Sequence, residues 1–62
     1  MTLTIIDYST ARIKFIDVVS EEAKEALSKD PEKYIFDDLS YKESEIYWML
    51  SEKEPTIRRV EL

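Results

Sequence analysis

Side-chain chemistry needs a nucleophile, a proton carrier or a metal ligand, and this chain is poor in all of them. It contains six serines, Ser9, Ser20, Ser28, Ser40, Ser44 and Ser51, but neither histidine nor cysteine. A serine hydroxyl attacks well only when a neighbouring base takes its proton, and histidine is the usual base. All six serines fall at expected turns, caps or loop edges, where local hydrogen bonding accounts for them. No catalytic residue is assigned, and an enzyme is not expected.

The carboxylates offer the next chemistry. Asp37 and Asp38 are adjacent, and neighbours on a helix diverge by about 100°, so the pair does not converge on one substrate. With Glu43 or Glu45 they could hold a hard cation, but the alternating Asp and Gly of a calcium loop are missing. A tetrahedral zinc site lacks its ligands. Phosphate-cradling loops need glycine so that backbone amides can approach the anion, and the chain has none. No metal and no small-molecule cofactor is expected.

The remaining candidates are binding surfaces, and the elements decide where they lie. Residues 2 to 8 and 12 to 18 are rich in Ile, Thr, Tyr, Phe and Val and flank Ser9-Thr10-Ala11, the pattern of a β-hairpin. Without Gly or Asn for a tight two-residue turn, a four-residue loop from Tyr8 to Ala11 is expected, which sets Asp7 opposite Arg12 as a charge pair. That register groups Thr4, Ile6 and Tyr8 with Ile13 and Phe15 on one face.

Ser20 followed by Glu21 and Glu22 reads as a capped helix start running to about Ser28. Asp30-Pro31 starts a second helix to about Leu39, with Tyr34, Ile35 and Leu39 on its buried side. Ser40 to Glu43 has the spacing of a capping box, which predicts one further helical turn. Residues 46 to 50 are read as a strand in preference to an extended helix over 41 to 53, and Thr56 to Leu62 as its hairpin partner.

The expected fold is thus α+β, a single ββααββ domain over 1 to 62, with a four-stranded antiparallel sheet and two short helices on one face. The segments Ile5-Ile6-Asp7-Tyr8-Ser9, Asp30-Pro31-Glu32-Lys33-Tyr34-Ile35 and Ser44-Glu45-Ile46-Tyr47-Trp48-Met49 resemble those of short uncharacterised bacterial proteins in which two hairpins flank helices. The resemblance implies a bacterial cytoplasmic protein of unknown role and carries no functional residue with it.

Cytoplasmic location is also the expectation from the lack of cysteine, from an N-terminus without signal-peptide features and from the lack of a membrane-length apolar run. The net charge of −5 is uneven: residues 17 to 54 carry twelve acids against five lysines, while the ends carry Arg12, Lys14, Arg58 and Arg59 against Asp7 and Glu61. That argues against direct nucleic-acid binding, which needs a dominant basic stripe. It suits a protein partner.

A non-catalytic protein-interaction module, self-associating as a homodimer, is therefore expected. Two short helices cover only one sheet face, and the strip left open is expected to contain Leu3, Ile5, Ile16, Tyr47 and Met49, flanked by Arg12 and Lys14. Trp48 is assigned to the core with Ile46 and Leu50. The alternative is an acidic inhibitor that imitates nucleic acid to block a nucleic-acid-binding protein; a small carboxylate enzyme ranks third. Lys24, Lys29, Lys33 and Lys42, each three or four residues from Glu21, Glu25, Asp37 or Glu45, weaken the mimic by neutralising the acidic face.

Overall fold

The computed structural model describes all residues, 1 to 62. Strands β1 (Thr2–Asp7) and β2 (Arg12–Asp17) form the first hairpin. Helix α1 (Glu21–Lys29) follows, then α2 (Pro31–Lys33), which continues as a π-helical turn, Tyr34–Asp38. A 3-10 turn, Glu43–Glu45, leads into β3 (Ile46–Ser51). The sheet is antiparallel in the order β2-β1-β3, so the N-terminal strand is central.

The α+β class holds, but the sheet has three strands rather than four. The expected fourth strand, Thr56 to Leu62, has no regular structure, and Ile57, Val60 and Leu62 are exposed. Its pattern explains this. Strand side chains alternate, so Ile57 would share a face with Arg59 and Glu61, and Val60 and Leu62 the other with Arg58, which sets a charge on either face.

The first hairpin has the expected register, with Asp7 opposite Arg12 and a four-residue connection. The expected charge pair does not form. Asp7 Oδ1 instead accepts hydrogen bonds from Ser9 Oγ at 2.7 Å, Ser9 N at 2.9 Å and Thr10 N at 3.3 Å. A carboxylate two residues before a turn closes the loop locally, which for a flexible Arg at the surface is hard to outcompete. Ala11 completes the connection with φ of 55°, in the left-handed region.

Both helix caps follow their residue types. Ser20 Oγ accepts from Ala23 N at 3.0 Å, and Asp30 Oδ1 accepts from Lys33 N at 3.2 Å. The capping box at Ser40 does not form: Ser40 has φ of 62° and ends the preceding helix, with Tyr41 N donating back to Ile35 O. A left-handed residue terminates a helix rather than starting one, and the next turn begins at Lys42 without a side-chain cap.

The core is Leu3, Ile5, Val18, Leu27, Ile35 and Ile46, with Ile16, Tyr34, Leu39, Trp48 and Leu50 packed around it in partial burial. Trp48 is thus at the margin of the core. Only eight of 62 residues are buried, a thin core for a chain without disulfide or metal support.

Two stability outcomes follow. Ala11→Gly relieves the left-handed penalty and is expected to stabilise the fold by about 0.5 to 1 kcal/mol, measured by urea denaturation. Ile5→Ala, at the centre of the core, is expected to cost about 2 to 5 kcal/mol; a loss below about 1 kcal/mol would contradict its place there.

Candidate functional site

Strand parity divides the sheet into two unlike faces. The register places Leu3 and Ile5 beside Ile16 and Lys14 on one side and beside Leu50 and Trp48 on the other, all on the face the helices cover. The opposite face carries Thr4 between Phe15 and Met49, and Ile6 between Ile13 and Tyr47. Thr2 and Thr4 are buried along its centre, and the side chains around them are open to solvent. Ile6 is 40% exposed, Ile13 54%, Tyr47 68% and Met49 47%.

The expected interface residues therefore separate. Tyr47 and Met49 lie on the open face. Leu3 and Ile5 are fully buried under the helices and offer no surface to a partner, while Ile16 is half-buried against the same core. Arg12 and Lys14 belong to the covered face by parity, and Lys14 Nζ sits 5.9 Å from the centre of the Tyr41 ring, a cation–π contact that closes that rim. The open face is instead built from Ile6, Ile13 and Phe15, three residues absent from the expected set. Their grouping was readable from the hairpin; that this group is the uncovered one was not.

The open face is nearly free of charge. Of the residues the three strands place there, only Asp17, at one corner, is ionisable at neutral pH. Tyr8, in the connection, packs edge-on against Tyr47, with ring centres 5.1 Å apart at 81°. Desolvation, and then the neighbouring Tyr47 phenol, raise the Tyr8 pKa above the ordinary 10.0, so the Tyr8 phenol stays neutral in any physiological setting. Thr4, on the central strand between the longer Phe15 and Met49, is buried with no hydrogen-bond partner for its hydroxyl.

Elsewhere, four of the six serines are engaged in local hydrogen bonds. Ser9 donates to Asp7, Ser28 to the Lys24 carbonyl and Ser51 to the Lys53 carbonyl, while Ser20 caps α1. Asp37 and Asp38 are both exposed at the end of the π-helical turn. The depression between the end of β2 and α1, about 180 Å³, is lined mainly by apolar groups such as Ile16, Val18 and Leu27. On the acidic layer, Lys24 pairs with Glu21 at 3.6 Å and Lys29 with Glu25 at 3.0 Å. No helix is long and apolar enough to cross a membrane.

Comparison of the chain with protein-family models, curated proteins and solved structures gives no match, so nothing from known proteins bears on the resemblance to short bacterial proteins.

The Asp7 turn supports the open face by holding the hairpin, and it titrates. The Ser9 hydroxyl, opposed by desolvation and aided by the Thr10 and Ser9 amides, lowers the Asp7 pKa from its ordinary 3.8. A depressed carboxyl stabilises the fold above its unfolded value, and that contribution is lost as pH falls from about 4 through the folded value. Asp7→Asn keeps the turn's acceptor and is expected to flatten the acid limb of stability below pH 4; an unchanged limb in denaturation at several pH values would remove Asp7 as its source.

Proposed function

We propose that this chain is a non-catalytic protein-interaction module that docks through the open face of its sheet, with a second copy of itself as the partner. The observation that carries the reading is the almost uncharged surface of exposed Ile6, Ile13, Tyr47 and Met49, with Phe15 half-buried among them. Monomers rarely leave such a patch contiguous, and aromatic and Met side chains are the residue types enriched at interfaces.

Self-association suits the charge. A chain of net charge −5 repels its own copy, but most of that net charge lies on the helical layer, where residues 21 to 38 carry seven acids against three lysines. Two sheets packed face to face leave those layers on the outside, separated by two sheet thicknesses, which exceeds the screening length of about 8 Å at physiological salt. A two-fold contact also needs only one self-complementary patch and thickens a thin core. Imitation of nucleic acid has less support, because Lys24 and Lys29 are paired within the acidic layer.

Sedimentation equilibrium from low to high micromolar concentration is expected to show a dimer that persists in high salt, and Ile13→Glu is expected to make it monomeric with an unchanged circular dichroism spectrum. A monomer mass throughout would remove the homodimer. A dimer indifferent to Ile13→Glu would place the contact on another surface.

A further inference from the structure

The two edges of the sheet are unlike. The outer edge of β2 is guarded by Arg12, Lys14 and Asp17, the usual defence of an exposed strand. The outer edge of β3, Ile-Tyr-Trp-Met-Leu-Ser, has no charged residue, no proline and no strand partner. Tyr8 N donates to Glu45 O at 2.8 Å, and the same pairing continues as Ile6 with Tyr47 and Thr4 with Met49. Bonded pairs alternate along an antiparallel ladder, so the backbone groups of Ile46, Trp48 and Leu50 point outward, away from β1.

Beside that edge lies a groove of about 240 Å³, lined by Glu32, Phe36, Glu43, Ile46, Tyr47 and Trp48. Glu32 comes from α2 and Glu43 from the 3-10 turn, and neither carboxylate forms an ion pair within the chain. Three aromatic rings and two unpaired carboxylates at one place complement a planar cation. The outward backbone of Ile46 and Trp48 complements an extended strand at the same place.

We infer that the outer edge of β3 and this groove form a second docking site, which takes an extended, arginine-bearing segment of another protein by strand addition. A strand bonded to the outward groups of Trp48 sets one residue directly opposite it, on the helix side of the sheet. An arginine there stacks on the indole and reaches Glu32 and Glu43, whose charges its fork of donors can satisfy. The arginine's place beside Trp48 is on the helix side of β3, away from the open face, although Tyr47 borders both surfaces.

Trp48 is the only tryptophan, so its fluorescence reports the groove directly. The probe is a short acetylated and amidated Thr/Val peptide with one central arginine, titrated into the intact chain. Saturable change in Trp48 emission is expected, weakened about tenfold or more by Glu32→Gln with Glu43→Gln, or by glutamine in place of the peptide's arginine, and retained by Ile13→Glu. No saturable change, or equal binding of the glutamine peptide, overturns the proposal. So does binding lost together with the dimer in Ile13→Glu, which would place the site in the open-face interface. If the peptide binds only after Arg58→Gln and Arg59→Gln, the chain's own C-terminal segment occupies the groove and the partner reading falls.

Discussion

The central position of β1 is the constraint on which the rest of the molecule depends. Its odd residues, Leu3 and Ile5, are the most deeply buried side chains of the sheet, and its pairing with β2 on one side and β3 on the other aligns all three strands in parity. Once Leu3 and Ile5 are under the helices, Ile16, Trp48 and Leu50 must follow them, and Ile6, Ile13, Phe15, Tyr47 and Met49 must face away. A shift of one residue in either pairing would exchange the two sets on that strand. The hairpin connection, closed by the Asp7 carboxylate and by Ala11 in the left-handed region, holds the first of those registers.

The helical layer is sized to one face and no more. Helix α1 has nine residues and α2 with its π-helical turn has eight, together enough to bury Leu27 and Ile35 against β1. Burial is worth roughly 25 cal/mol per Å² of apolar surface, and a three-stranded sheet covered on one side leaves much of that gain unrealised. An uncovered apolar face on a thinly cored chain is therefore both a stability deficit and a binding opportunity, and one contact can resolve both. The excess of negative charge on the helices disfavours contact between the helical layers of like-charged copies.

The two surfaces of the sheet differ in kind. The open face offers side chains, apolar and uncharged, and suits a broad sheet-to-sheet contact. The β3 edge offers backbone groups with an acidic, aromatic groove alongside, and suits a narrow strand with a cationic side chain. One lies normal to the sheet and the other in its plane, and they meet at Tyr47.

The features legible in the residues are local. The capping oxygens of Ser20 and Asp30, the four-residue hairpin connection and the grouping of Ile6 with Ile13 and Phe15 follow from neighbouring residues and short-range sterics, whereas 46 to 50 suited a strand better than a helix without excluding one. The lack of glycine, histidine and cysteine likewise bounded the chemistry without any coordinates. Which parity class lies under the helices was decided only by tertiary structure, because both classes are apolar enough to form a core and the register between β1 and β3, thirty-nine residues apart at their nearest ends, has no local determinant. The same holds at the C-terminus. Ile57, Val60 and Leu62 look like a strand by composition, but alternation sets a charge on either face of a fourth strand, and the sheet stops at three.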